Sequence, residues 1–219
     1  AQRNVWRNPK RSFITIFAVS IGIWSSVTLS SIARGLSYGM ADNAINNLIG
    51  HIQIHHDAYL NDPAPEHAFP ELSGSERDFL KENGATIISE RIRVPVVVMS
   101  ERESTGVTLV GIKPSDEVGL SFIGEPHLAG EMLSSVTDPG IVVGKKMLDL
   151  LDTSLGHRIV IVTQDVDNKI ADRGFRIVGV YDAELESTER SYAFVGLNIA
   201  QEFLGLSGRI SEVAIKTDN

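Results

Sequence analysis

Residues 13–33 contain no charged side chain. An α-helix of that length spans roughly 31 Å, which matches the hydrocarbon core of a bilayer. Ile32, Leu36, Met40, Ala44 and Leu48 carry an i, i+4 apolar spacing onward, with Asp42, Asn43, Asn46 and Asn47 on the other faces. That spacing predicts that the membrane helix continues as a stalk. Gly50 closes it, and Ile52 and Ile54 then alternate with His51, Gln53 and His55 as in a half-buried strand. Pro63, Pro65 and Pro70 predict a loop over 61–70; Ser73 and Ser75 are candidate caps for a helix through Asn83, which Gly84 ends. Strands are predicted over 85–89, 94–100, 105–112, 140–143, 158–163, 174–181, 192–195 and 210–215, with Pro95 marking an edge or a bulge. Helices are predicted over 145–151 and 198–204, while 113–139, rich in Gly and Pro, reads as irregular. The pattern divides the chain into a lead (1–12), a transmembrane helix (13–33), a stalk (34–49) and an α+β domain of mixed strands and short helices (50–219).

Charge orients this arrangement. The net charge is −8, yet Arg3, Arg7, Lys10 and Arg11 give the first twelve residues +4 without an acid, so the remainder carries −12. An acidic bulk excludes a nucleic-acid surface on the folded part. The basic cluster before the apolar segment, against Arg34 and Asp42 after it, places the N-terminus in the cytoplasm and the bulk outside. Arg3, Trp6, Arg7, Lys10 and Arg11 form the expected membrane-interface set, with Trp6 at headgroup level. Ala18, Gly22, Ser26 and Ser30 recur every four residues, a small-residue stripe on which another helix could pack. A cleaved signal peptide is the rival reading, since Ser31-Ile32-Ala33 has a small-x-small form, but the apolar stretch is longer than a usual signal core. Cysteine is absent, which removes disulfides and thiolate chemistry. Ala1 at the start and the linker-like Lys216-Thr217-Asp218-Asn219 at the end read as a piece of a longer protein.

Four motifs point towards chemistry and are outweighed. Gly35-Leu36-Ser37-Tyr38-Gly39 matches a nucleophile elbow, but it lies within the helical continuation rather than on a strand-to-helix turn. His51 and His55 would share one face of a strand, and with His56 and His67 they invite a metal reading; without a dedicated acid cluster, surface histidines are expected. Residues 140–146 resemble a phosphate loop without its spacing or its Ser/Thr. The acidic residues of 182–189 are expected to be solvated. No catalytic residue, cofactor or metal ligand is therefore expected.

The lead Arg3-Asn4-Val5-Trp6-Arg7-Asn8-Pro9-Lys10-Arg11 and the segment Gly50-His51-Ile52-Gln53-Ile54-His55 resemble those of the MacB-type ABC transporter permease superfamily, which includes the macrolide exporter, the lipoprotein-releasing permeases and FtsX. So, in order, do Ile141-Val142-Val143-Gly144-Lys145, Leu155-Gly156-His157-Arg158-Ile159, Phe175-Arg176-Ile177-Val178-Gly179-Val180 and Ala193-Phe194-Val195. The resemblance implies an extracytoplasmic core with a smaller β-rich inserted part, and three further membrane helices beyond this chain. It also implies an ATPase subunit as partner, a second permease copy or homologue, and a periplasmic partner. The function it implies is coupling of cytoplasmic ATP hydrolysis to export or release of a lipoprotein, peptide or amphipathic substrate. Two other classes remain open on the residues alone: a single-pass anchored sensor or adaptor, and a secreted hydrolase.

Overall fold

The computed structural model describes residues 9–44, 48, 50–124, 128–183 and 185–217. The chain divides into two units, Ala1–Ala44 and Ile45–Asn219. In the first, α1 runs Pro9–Ala44, 36 residues without a break. Proline suits the first turn of a helix, where its missing N–H has no partner to lose. The apolar stretch of α1, Ser12–Gly35, is long enough to cross a membrane and brackets the expected span.

The second unit contains, in chain order, β1 (Ile52–Ile54), a 3-10 turn (Pro65–His67), β2 (Phe69–Pro70), α2 (Gly74–Glu82), β3 (Ala85–Met99), β4 (Ser104–Ile112), α3 (Pro114–Glu117) and a second 3-10 turn (Phe122–Gly124). There follow β5 (Leu128–Gly130), β6 (Gly140–Gly144), α4 (Lys145–Leu150), β7 (Arg158–Gln164), β8 (Ile170–Tyr181), α5 (Glu186–Ser191), β9 (Tyr192–Gly196), α6 (Leu197–Leu204), β10 (Arg209–Ile210) and β11 (Glu212–Thr217). The region read as irregular thus holds α3, a turn and β5. The last strand is split at Ser211, whose hydroxyl accepts from Arg93 N at 2.7 Å.

Strand pairing closes a ring. β3 pairs β4, β4 pairs β9, β9 pairs β6, β6 pairs β8, β8 pairs β7, and β7 returns to the far end of β3. β4–β9 and β6–β8 are parallel and the rest antiparallel. β11 and then β1 add to the first half of β3, and β5 adds to the end of β8. All strands except β2 and β10, which pair with each other, belong to this one sheet, and Ile45–Asn219 is one unit.

Alternation along the strands sorts side chains to two cores. Leu109, Ile141, Val143, Ala193 and Val195 join one apolar cluster with Val94, Val96, Val98, Ile159, Ile161, Phe175 and Ile177. Their neighbours Val110, Val142 and Phe194 face the other way and pack with Leu48, Ile112, Ile123, Leu133 and Tyr181. The capping expectation is met at α2. The Ser73 hydroxyl accepts from Glu76 N, and the Glu76 carboxylate accepts from Ser73 N at 2.8 Å. Gly84 follows the helix with φ +95°, a conformation that side chains with a Cβ rarely adopt.

Two expectations need correction. β3 is one strand of 15 residues rather than two. Pro95 does sit at an edge: β11 pairs β3 only as far as Arg91, and β7 begins only at Val97. The open backbone of that gap is satisfied by side chains. Tyr59 OH donates to Arg93 O at 2.7 Å, Thr163 Oγ1 donates to Pro95 O at 3.0 Å, and Pro95 has no N–H to satisfy. Second, β1 turns its polar face inward. Gln53 and His55 are partly buried while Ile52 is 50% exposed and Ile54 39%.

Candidate functional site

The least expected feature of the second unit is a set of charges in its interior. Glu90 and Arg91 are adjacent on β3, so their side chains leave the sheet on opposite faces. Both are fully buried. On one face, Glu90 accepts from Leu72 N at 2.7 Å and from Lys113 Nζ at 2.5 Å, and it pairs with Arg77 of α2.

On the other face, Arg91 grips Glu117 of α3 with two parallel bonds, Nε to Oε1 and Nη2 to Oε2, both 2.7 Å. This fork-to-fork geometry is the strongest form of ion pair. The remaining nitrogen, Nη1, donates to Glu212 Oε1 at 3.3 Å and to the carbonyl oxygen of Leu48. Ser89 Oγ donates to Glu117 Oε1 at 2.7 Å, and Ser121 Oγ donates to Glu117 Oε2. Arg93 extends the set, donating from Nη1 to Glu212 Oε2 at 3.1 Å and from Nη2 to Tyr192 OH at 3.2 Å, its guanidinium 5.5 Å from the Tyr192 ring centre. Burial opposes the Arg91 charge, but Glu117 and then Glu212 outweigh it and hold the guanidinium above its ordinary pKa. Two arginines balance two glutamates, so the interior carries no net charge there. Leu48 lies four positions beyond the end of α1 in the chain, and through Arg91 its carbonyl is tied to two strands, β3 and β11, and to the helix α3.

Along the sequence, Glu90-Arg91-Ile92-Arg93 forms a polar gap between two predicted strands, which hides this cluster. A usable signal was present. The gap holds no Gly, Pro, Asn or Asp, the residues that turn a chain, so the strand had no reason to stop.

The segment 140–146, which lacks the spacing and the Ser/Thr of a phosphate loop, is likewise explained by a distant partner. Gly144 ends β6, α4 starts at Lys145, and Glu189 supplies the anion that a helix N-terminus attracts: Oε2 accepts from Lys146 N and Oε1 from Ala183 N, each at 3.0 Å. The acidic stretch at 182–189 is therefore not wholly solvated. Glu189 and Thr188 are buried, and Tyr181 OH donates to Thr188 O at 2.9 Å, burial and then the Glu189 charge pushing the phenol's pKa up.

Ala18, Gly22, Ser26 and Ser30 are exposed along one face of α1, and Lys10 is exposed at its start. Arg3, Trp6 and Arg7 lie outside the described residues, as does the Arg11 side chain. Gly35 is helical, which leaves no nucleophile elbow. His51 and His55 do not converge: His51 Nδ1 faces Thr217 Oγ1 at 3.0 Å, while the His55 ring lies against Tyr59. It is His56 and His67 whose rings stack, beside Asp62 and Glu66.

The family model for the MacB-like periplasmic core domain matches residues 12–219. The chain belongs to this family. Among solved structures, the MacB core-domain fold recurs in the periplasmic region of MacB from Actinobacillus actinomycetemcomitans, with TM-score 0.50 and 14% identity over 78% of this chain and 77% of that one. The extracellular domain of the noncanonic ABC-type transporter YknZ from Gram-positive bacteria aligns at TM-score 0.47 and 19% identity, over 76% and 82% of the two chains. A domain of a putative permease from Porphyromonas gingivalis aligns at TM-score 0.39 and 14% identity, over 69% and 65%. No curated protein matches the chain. As a MacB-like core domain carried behind an apolar helix, the chain has the mixed α+β architecture of its family.

Proposed function

We propose that this chain is the first membrane helix and outer domain of an ABC transporter permease subunit, carrying nucleotide-driven movement from the cytoplasmic side to an extracytoplasmic domain. The observation that carries the reading is the unbroken α1, Pro9–Ala44, in a chain that belongs to the MacB-like core family. A continuous helix resists bending, so displacement at one end is delivered at the other. The Arg91 bond to the Leu48 carbonyl supports the same reading, since a pull on the chain after α1 reaches β3, α3 and β11 through buried bonds. The cargo class is a lipoprotein, peptide or amphipathic molecule. ATP hydrolysis belongs to a separate subunit, and a second permease copy or homologue and a periplasmic partner complete the machine. The N-terminus faces the cytoplasm and residues 50–219 form the outer domain of a bacterial inner-membrane protein.

The test is an insertion of Gly-Gly-Ser after Met40 in the full-length permease, reconstituted with its ATPase. ATP binding and hydrolysis should persist while cargo release falls at least tenfold. Release at the unmodified rate would make the helix a tether, as in a single-pass sensor.

The exposed stripe of α1 adds an assembly prediction. Close backbone approach drives helix packing in lipid, and Gly22 has open space around its Cα. Gly22→Leu should reduce the yield of assembled complex after detergent extraction several-fold, and Ile23→Leu should not. Equal yields would remove the stripe from the interface.

A further inference from the structure

Asp62, Glu66 and His67 bring three ligand atoms together at one corner of the outer unit. His67 Nε2 is 3.7 Å from Asp62 Oδ2 and 3.7 Å from Glu66 Oε1, and all three atoms lie within 4.8 Å of one another. That spacing is too long for hydrogen bonds. It suits donors sharing one ion, because two atoms each bound at about 2.1 Å in a tetrahedral zinc site stand about 3.4 Å apart, a few tenths of an ångström from the two His67 separations here. We infer that Asp62, Glu66 and His67 form a binding site for a divalent transition-metal cation of the zinc class, with water completing the coordination.

Three features support the assignment. The donor set is one imidazole and two carboxylates, which favours Zn²⁺ or a similar ion over Ca²⁺, whose sites use six to eight oxygens. Charge points the same way: two carboxylates flank one imidazole, and among the described residues no lysine or arginine pairs with either. The ligands are also held in place. Pro63 and Pro65 restrict the loop, Ala64 N donates to Asp62 O at 2.8 Å, and His67 closes the 3-10 turn with its N–H on Ala64 O at 3.2 Å. The His56 ring stacks on His67 at 5.3 Å and 9°, and its Nδ1 accepts from Ala58 N at 3.2 Å, which fixes the stacking partner. Asp62, Ala64 and Pro65 also form one rim of a mainly apolar cleft of about 590 Å³, completed by Val96, Val97 and Ile170. Bound metal would hold that rim rigid.

The experiment uses the detergent-solubilised full chain, stripped with chelator and titrated with ZnCl₂ by calorimetry. Saturation at one ion per chain is expected, with affinity at least tenfold weaker in His67→Ala and in the double variant Asp62→Asn/Glu66→Gln. His51→Ala is the control and should bind as the unmodified chain does. Co²⁺ gives a second readout, a visible absorption band that His67→Ala should abolish while the melting profile without metal stays unchanged. Unsaturable Zn²⁺ uptake would overturn the assignment. So would uptake that the two site variants leave intact, or Ca²⁺ binding as tight as Zn²⁺.

Discussion

Arg91→Met should lower the stability of the unit Ile45–Asn219 by about 3–5 kcal/mol, the cost of leaving one partner of a buried ion pair alone. Arg91 is the only arginine on Glu117 among the described residues, and both are sealed from water. Without it, Glu117 keeps only Ser89 and Ser121, and the Leu48 carbonyl loses its donor. Glu212 fares better, because Arg93 still reaches it. The double variant Arg91→Met/Glu117→Met should therefore recover most of the loss, since removing both charges removes the desolvation they had to overcome. Urea unfolding of the full chain in detergent checks this, the midpoint falling clearly for the single variant and far less for the double. A single variant as stable as the unmodified chain would mean that the pair contributes nothing to stability.

Gly144→Ala should destabilise the same unit by about 1–3 kcal/mol, the usual range for forcing an atom into a packed interior. A Cβ at this position would overlap the Glu189 carbonyl and Cα, which are backbone and cannot swing aside. Displacing α5 would also pull the Glu189 carboxylate from Lys146 N and Ala183 N. Gly174 and Gly106 lie in strands with open space where a Cβ would go, and alanine there should change stability by less than about 0.5 kcal/mol. Thermal melts of the three variants separate the cases. An equal response at Gly144 and Gly174 would show that backbone approach at Gly144 is not tight.

The apolar stretch in α1, the capping box at Ser73, the turn at Gly84 and most strands were legible in the sequence because each is set by neighbours a few residues away. The spacing of apolar residues, a Ser three positions before a Glu, or a Gly after a helix carries its own physical cause. The resemblance to the MacB-type superfamily rested on the order of such local pieces, and the family match over residues 12–219 agrees with it.

What stayed hidden depended on partners far away in the chain. Residues 90–93 read as a break in β3 because buried charges are improbable until their partners are known, and those partners sit at 77, 113, 117 and 212. The inward turn of Gln53 and His55 is fixed by the register of β1 on β11, Gln53 opposite Ala214, and a one-residue shift would have reversed it. Likewise the segment at 140–146 is explained by Glu189, distant in the chain, whose carboxylate accepts from Lys146 N at the N-terminus of α4. Periodicity and caps are local and the sequence by itself determined them; charge neutralisation, strand register and backbone approach join residues distant in the chain, so only the tertiary structure decided them.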